Sequence, residues 1–349
     1  MVRIVPPAHL LDRVCTDNDD RAKAQEFVQS GDRSVEELTR ALEGVGRAFM
    51  SFSAVLDWGC GPGRVDLRLL ERFPGIDLTG VDPDSGSIEW LSSLPISARF
   101  VTIGSQPPLP FGDESFDLVL NHSVLTHIDR EAQRSWLAEL ARVTKEHGVL
   151  VCSVHGAYVL GVAVQDLRRA GNDPDRWLTE WGQSRFLFVE DDAHIGSAHH
   201  DGYHTTFQDP GTVEPLSSYW FEPLAFNFRG DLGFQDLLVF QKRSGEERTE
   251  RVALASDPTE SRRGPATSPV QWIARHAPGY RRQRSRADLT RATADLTRSW
   301  QVASVSLSKL GRQVARLENS VDRLERRISG ASGGSHSAPE TPGTTDRTP

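Results

Sequence analysis

The hydrophobic pattern of this 349-residue chain predicts short buried strands separated by helices, up to about residue 243. Apolar runs suited to strands cover residues 54–56, 77–81, 98–103, 116–121 and 148–154, with helical patterns between several of them. Two further runs, 219–228 and 235–242, flank a glycine-containing turn and predict an antiparallel hairpin. The alternation predicts an α/β fold with seven strands.

A helical cover is predicted before the first strand, in residues 1–53. Ser34 and Glu37 have the spacing of a capping box, which predicts a helix that starts at Ser34 and continues through Phe49. Its apolar face consists of Val35, Leu38, Leu42, Val45 and Phe49.

The C-terminal third has a different pattern. Residues 244–286 are rich in Arg, Ser, Pro and Glu and predict a flexible basic linker. In residues 287–329 apolar positions recur every seven residues, as Leu289, Leu296, Ala303, Leu310, Leu317 and Leu324. This predicts a dimerising α-helical coiled coil, or alternatively one amphipathic helix that folds back on the domain. The tail, residues 330–349, is predicted to be disordered.

A glycine-rich turn follows the first strand and offers the clearest chemistry. Asp57 ends that strand, and Gly59, Gly61 and Gly63 follow at alternate positions before a helical pattern. Free N–H groups at such a helix start favour a carboxylate or phosphate. Asp82 ends the second strand, where a ribose-binding acid is expected in doubly wound sheets, although it could also cap the next helix.

These motifs, with the strand, helix and strand between Leu109 and Gly156, closely resemble class I S-adenosylmethionine-dependent methyltransferases over about residues 31–243. The resemblance implies a Rossmann-like seven-stranded sheet with a terminal antiparallel hairpin in domain 54–243, interrupted by a lid insertion at 157–218. In that fold the N-terminal cover packs beside the sheet or closes over the cofactor. The final strands are similar to those of members associated with glycan biosynthesis.

The resemblance also implies S-adenosylmethionine as cofactor. The residues that it assigns to cofactor binding lie at the carboxyl ends of the first four strands: Asp57, Gly59, Cys60, Gly61, Gly63, Asp82, Gln106 and Asn121. Gln106 departs from the family pattern, which usually places an acid after the third strand to contact the adenine amino group.

Three histidines at strand ends, His155, His122 and His127, are candidates for a catalytic base, which methyl transfer needs when the acceptor is a hydroxyl. Alternatively, each is satisfied by backbone groups. The insertion alternates aromatic residues with histidines, which suits stacking against a sugar, or forms a small core of its own. Its histidine spacing matches no common ligand set, so no metal site is predicted.

Charge and cysteine usage limit the partners. The net charge of −8 divides into −14 through Arg243 and +6 afterwards. An acidic domain argues against nucleic acid as the substrate. The basic stretch 262–286 suits peripheral contact with an anionic membrane, or is only a solvated linker. Three scattered cysteines and an N-terminus without a signal-peptide core predict a cytoplasmic protein, at the inner face of the membrane if that contact forms.

The resulting hypothesis is O-methylation of a sugar on a surface glycan or its precursor, by in-line transfer from the sulfonium. The coiled coil would make a homodimer or pair the chain with glycan-assembly enzymes. Two alternatives remain open at this point: a small-molecule methyltransferase of secondary metabolism, and a non-catalytic scaffold dimerised by the coiled coil.

Overall fold

The computed structural model describes residues 3–15, 19–190 and 204–248. Its helices are α1 (Ala8–Leu11), α2 (Asp20–Gly44), α3 (Asp66–Arg72), α4 (Ser85–Ser92), α5 (Arg130–Val143), α6 (Ala157–Arg169), α7 (Asp175–Ser184) and α8 (Pro210–Ser217). Its strands are β1 (Ala54–Trp58), β2 (Asp77–Asp82), β3 (Arg99–Thr102), β4 (Phe116–Asn121), β5 (Thr144–Val154), β6 (Phe186–Val189), β7 (Thr205–Gln208), β8 (Phe221–Asp231) and β9 (Gln235–Lys242).

Seven strands form one sheet in the order β3-β2-β1-β4-β5-β9-β8. The first five are parallel, and β9 pairs antiparallel with both β5 and β8. The predicted seven-stranded sheet with a terminal hairpin is confirmed. Because β1 and β4 lie side by side although two strands separate them in the chain, the strand order reverses between them. Open α/β sheets bind ligands at such a reversal, beyond the carboxyl ends of the strands.

Both faces of the sheet are buried, which explains the continuous apolar runs of its strands. One core cluster packs residues such as Leu56 and Val119 against Trp136 and Leu140 of α5. The other packs the opposite face against α2 and α3. A site at the carboxyl-end loops of the parallel strands is therefore reached without opening either face of the sheet.

The predicted start of the N-terminal helix is wrong. Helix α2 begins at Asp20, where the side chain of Asp19 accepts a hydrogen bond from the N–H of Ala22 and caps it. Ser34 lies in the middle of this helix and donates to Asp231 Oδ1 at 3.1 Å instead of capping. Its hydroxyl serves a tertiary contact, which a local capping pattern cannot reveal.

The insertion after β5 has a small core of its own. Residues of α6, α7, β6 and β7, including Leu160, Trp181 and Phe207, form a separate cluster. Strands β6 and β7 pair as a two-stranded antiparallel sheet apart from the main one. Strand β7 joins this unit to the main sheet, because Gln208 N donates to His155 O at 2.9 Å and Thr206 N to Thr126 O at 2.7 Å.

The predicted coiled coil at 287–329, the tail and all of the linker beyond residue 248 lie outside the described residues. Within the described part of the chain, no helix has the length and apolar character needed to cross a membrane.

Candidate cofactor and acceptor site

The turn from Gly59 to Gly63, called here the glycine turn, connects β1 to α3 through backbone angles that favour glycine. Gly59, Gly61 and Gly63 have φ values of 85°, 51° and 75°. At Gly59 there is also no room for a side chain, since a Cβ would lie 2.1 Å from Val124 Cγ2 in the loop after β4. The N–H groups of Gly59 and Cys60 both bond to Val81 O, so the turn is fastened to β2.

Asp82 holds the glycine turn from the end of β2. Its Oδ2 accepts from Gly61 N at 2.8 Å, and its Oδ1 accepts from Asp84 N at 2.8 Å. Burial raises the pKa of Asp82, while these two N–H groups act to lower it. A carboxylate can accept about four hydrogen bonds, so Asp82 keeps capacity for two hydroxyls of a ligand. The cap of α4 is Asp84, whose side chain accepts from Gly86 N, and not Asp82.

Two buried polar side chains at the same edge of the sheet have atoms without hydrogen-bond partners among the described residues. Asp57 is 1% exposed and Asn121 3%. Asp57 Oδ1, Asn121 Oδ1 and Asn121 Nδ2 all lack hydrogen bonds there. Burial raises the pKa of Asp57 to about 6, although His122 opposes this shift. Such groups are costly unless a ligand satisfies them.

Comparison with known proteins identifies the kind of domain to which this site belongs. Residues 55–148, which run from β1 into β5 and include the glycine turn, match the family model of a methyltransferase domain. The chain carries a class I S-adenosylmethionine-dependent methyltransferase domain. The cofactor of this domain is S-adenosylmethionine.

Two curated relatives align over parts of the methyltransferase domain. An uncharacterized methyltransferase of Schizosaccharomyces pombe is 33% identical over 108 residues, 28% of this chain and 38% of the relative. The malonyl-[acyl-carrier protein] O-methyltransferase of Hahella chejuensis is 29% identical over 141 residues, 38% of this chain and 50% of the relative. The chain thus spans half or less of these relatives' length.

A solved structure of similar topology is the PH0226 protein of Pyrococcus horikoshii. It is 20% identical to this chain, covers 62% of it and is itself covered to 95%, with a TM-score of 0.42.

The orphaned polar groups of the methyltransferase domain fit the cofactor. Asp57 Oδ1 and the Asn121 amide offer acceptors and donors for the ammonium and carboxylate of its methionine part. The unused acceptor capacity of Asp82 suits the ribose hydroxyls. The individual assignments remain predictions, but the fold gathers these residues at the carboxyl ends of three adjacent strands, β2, β1 and β4: Asp57, Gly59, Gly61, Gly63, Asp82 and Asn121.

Two other predicted cofactor residues are placed differently. The Cys60 side chain is buried beneath the glycine turn, in the cluster that contains Leu67 and Leu91, so only its backbone can reach a ligand. Burial raises the pKa of its thiol well above the usual value. Gln106 is exposed in the loop after β3, and its contact with the adenine remains a prediction.

His122 is held in an ionic cluster beside the glycine turn. Its Nε2 lies 3.0 Å from Asp231 Oδ2 and contacts the guanidinium of Arg64. Arg64 also donates to Ser34 Oγ at 3.0 Å, which links α2 to the cluster. Burial alone would raise the pKa of Asp231, but His122 and Arg64 lower it. His122 therefore links the loop after β4 to Asp231 of β8 and to Arg64 after the glycine turn. To act as a base it would have to give up these contacts.

The loop after β4 carries a strained serine that is supported from two strands. Ser123 has a φ of 63°, a conformation that is uncommon for residues other than glycine. Its N–H donates to Ser153 Oγ at 2.8 Å and its hydroxyl accepts from Gln235 Nε2 at 2.9 Å. This support fixes the neighbouring Val124 against Gly59.

His155 lies at the end of β5 among aromatic rings. The ring centroids of Phe207, Phe234 and His127 are 5.9, 6.1 and 6.3 Å from its own. Its Nδ1 is buried without a partner in the described part of the chain, whereas the residue as a whole keeps some solvent contact. Burial, assisted by His127, lowers the pKa of His155 to about 3. The imidazole is therefore neutral at physiological pH and a weak base.

His127 contacts the backbone of the insertion. Its Nδ1 lies 2.9 Å from the carbonyl oxygen of His204, just before β7. The described residues contain no cluster of histidine, cysteine and acidic side chains that could hold a metal ion.

Sequence reasoning missed two buried polar residues beside His155. Gln208 is fully buried and both of its amide atoms lack partners among the described residues. Asp236 is 2% exposed, and burial raises its pKa to about 7 although Arg229 N donates to it at 2.8 Å. The sequence did contain a signal for Asp236, because this acid directly precedes the apolar residues of β9. Gln208 left no signal, because its neighbours in space are distant in sequence.

Proposed function

We propose that this chain transfers a methyl group from S-adenosylmethionine to a hydroxyl of a sugar ring, on a surface glycan or a glycan precursor. The observation that carries the proposal is the aromatic group around His155. Phe234, 39% exposed, lies between His155 and Tyr158, with ring centroids 6.1 and 6.2 Å away. Accessible aromatic faces beside a few polar atoms are typical of sites for amphipathic rings.

The buried polar atoms beside these rings that lack partners among the described residues are uncharged, which supports a hydroxyl acceptor. His155 is neutral because of its low pKa, and the Gln208 amide carries no charge. A site built to hydrogen-bond a hydroxyl discriminates strongly against ligands that lack one, because its buried groups would stay unpaired.

The two sets of buried polar groups without partners suit two different reactants, the cofactor and the acceptor. The bound cofactor supplies an electrophilic methyl group on its sulfonium. Asp57, Asn121 and Asp82 would hold the cofactor, while His155 Nδ1 accepts a hydrogen bond from the acceptor hydroxyl and orients its oxygen. As the O–CH3 bond forms and the S–CH3 bond breaks, the hydroxyl proton passes to Nδ1, because a methylated hydroxyl is far more acidic than an imidazolium, even one whose pKa is lowered. The aromatic rings exclude water. Alignment of the two reactants is the main contribution that a protein makes to such a displacement.

A transfer assay with a radiolabelled methyl group tests this proposal. Neutral oligosaccharides and nucleotide sugars would be offered, and labelled products identified by mass spectrometry after hydrolysis. We expect an O-methyl sugar with the wild type. The His155→Ala variant should lose at least about 90% of the rate, as expected for one well-placed polar contact, with unchanged cofactor binding. Label found only on non-sugar acceptors would contradict the proposal.

One observation favours a small anionic acceptor as a second candidate. The Arg229 guanidinium lies 3.9 Å from the centroid of the Tyr158 ring and is exposed, so it could bind a carboxylate. The relative from Hahella chejuensis is named as an O-methyltransferase of malonyl-[acyl-carrier protein]. Malonyl-acyl carrier protein therefore belongs in the same assay, with Arg229→Gln as the variant that should abolish its methylation alone.

The oligomer and the partners are proposed from the sequence pattern. The heptads of 287–329 would dimerise the chain or bind it to glycan-assembly enzymes, and 262–286 would contact an anionic membrane. Light scattering on the full chain should give a dimer, and Leu310→Glu should give a monomer. A monomeric wild type would contradict the homodimer.

A further inference from the structure

Two carboxyl groups meet beneath the glycine turn with no base between them. Asp57 comes from β1 and Asp66 is the first residue of α3; they are 1% and 0% exposed. Their side chains are within hydrogen-bonding contact. Neither oxygen of Asp66, nor Oδ1 of Asp57, receives a bond from a donor of the described residues. Two carboxylates can only accept, so this contact requires a proton on one of them.

The surrounding charges act against ionising both groups. Asp82 adds a third carboxylate on this side, and the buried Cys60 thiol stays neutral. The basic side chains that reach Asp57 are His122 and Arg64, and both already contact Asp231 or Ser34. The backbone N–H of Asp66 favours its ionised form. One N–H group at the start of a short helix does not offset full burial beside a second carboxylate.

We propose that Asp66 is a positioning residue that stays protonated and donates its hydrogen to Asp57, so that a single buried negative charge faces the cofactor's ammonium group. The assignment rests on the proposed use of S-adenosylmethionine and is independent of the acceptor. Asp66 fixes the carboxylate of Asp57 in one orientation, as an amide donor would, without adding or removing charge.

The titration behaviour of the two groups agrees with this assignment. Burial, followed by the charge of Asp57, raises the pKa of Asp66 well above its usual value, and burial raises the pKa of Asp57 to about 6. Above about pH 6 the pair therefore holds one proton and one charge. Below it the pair gains a second proton, which cofactor binding must release. Cofactor affinity should then fall, approaching tenfold per pH unit.

The first test needs no ligand. Infrared spectra of the full chain at neutral pH should show the C=O stretch of a protonated, buried carboxylic acid that Asp66→Asn removes. Both chains carry Asp236→Asn as a background change, because the pKa of Asp236 is raised to about 7 and its carboxyl would add a band of its own. A chain that keeps Asp66 but lacks this band, or a variant that retains it in full, would overturn the proposal. This readout stands even if the chain binds no S-adenosylmethionine, so failure of the proposed function is distinguishable from failure of this inference.

The second test compares Asp66→Asn with Asp66→Ala by calorimetric titration of S-adenosylmethionine. Asparagine supplies the same donor without charge, so binding at neutral pH should stay within about twofold of the wild type. Alanine removes the donor and should weaken binding by about tenfold. If Asp66 were ionised, asparagine would remove a charge that attracts the ammonium and weaken binding at least as much as alanine does; this result would refute a protonated Asp66.

Proton release gives the third readout. In wild-type titrations repeated in buffers of different ionisation enthalpy, about one proton should be released per cofactor at one to two pH units below the midpoint, and nearly none at neutral pH. Equal release at both pH values would contradict the shared proton.

Discussion

The cofactor half and the acceptor half of the site are built in different ways. The cofactor half consists of β1, β2 and β4 with the loops at their carboxyl ends, and all of it lies within the residues that match the methyltransferase domain model. The proposed acceptor half consists of the described parts of the insertion, 157–190 and 204–218, and the β8–β9 hairpin, which reach His155 through tertiary contacts. The cofactor half is a set of local sequence motifs on one sheet. The acceptor half is assembled from segments that are distant in sequence and meet only in the folded chain.

The buried polar groups show the same difference. In the cofactor half three of them are acids, with Asp57 and Asp66 buried and Asp82 partly buried, beside the neutral Asn121. In the acceptor half the unpartnered atoms around the end of β5 are neutral, on His155 and Gln208. The Asp231 carboxylate of β8 lies against His122 instead. Each half thus has the charge that suits a different reactant, and substitutions should affect the two reactants separately.

The largest expected effect comes from Asp82→Ala, which acts on the cofactor half alone. The carboxylate anchors Gly61 N and has capacity for the ribose hydroxyls. Loss of two charge-assisted hydrogen bonds should cost about 4 kcal/mol, or roughly a thousandfold in affinity for S-adenosylmethionine. Calorimetric titration measures this, with His155→Ala as the matched control that should bind normally. Equal losses in both variants would mean that the two halves are not separable.

The same contrast explains what could be predicted from sequence. The seven strands, the closing hairpin and the glycine turn depend on period and local turn chemistry, and all were predicted. The start of α2 was missed because the Ser34 hydroxyl does not cap a helix but donates a hydrogen bond to Asp231, a residue 197 positions away. Gly31 was overlooked for a similar reason: a Cβ there would lie 2.4 Å from Arg64 O, so glycine lets α2 approach the turn. Such choices depend on contacts that no window of sequence contains.

A steric change in the glycine turn should have the next largest effect. In Gly59→Ala the new Cβ would overlap Val124 and the positive φ would be strained. We expect the free energy of unfolding to fall by about 3 kcal/mol, measured by urea denaturation. Adding Val124→Ala should recover part of this loss by making room. If the double variant is no more stable than Gly59→Ala, the packing of the two loops is not the cause.

The acceptor half should produce a pH-dependent stability through Asp236. Burial raises its pKa to about 7 in the folded chain, whereas in the unfolded chain it titrates near about 4. The folded state therefore holds an extra proton between these values, and stability is lost as the pH rises from about 4 to about 7.

Replacing Asp236 by Asn should remove this loss, because the amide oxygen can still accept from Arg229 N. We expect Asp236→Asn to exceed the wild type in unfolding free energy by about 2 kcal/mol at about pH 8, and to equal it at about pH 4. Urea denaturation at both pH values measures the difference. A constant difference across this range would show that Asp236 is not the titrating group.

The smallest expected effect, that of Gly161→Ala, tests whether the two halves of the site unfold together. Gly161 is exposed in α6 of the insertion, and a Cβ there would meet nothing within 4 Å. Gly161→Ala should therefore stabilise α6 by about 0.7 kcal/mol through helix propensity alone. If the insertion and the sheet form one cooperative unit, the midpoint of global urea unfolding rises accordingly. If the insertion opens on its own, amide hydrogen exchange slows in α6 while the global midpoint stays unchanged. The acceptor half would then be the part that can open without disturbing the cofactor half.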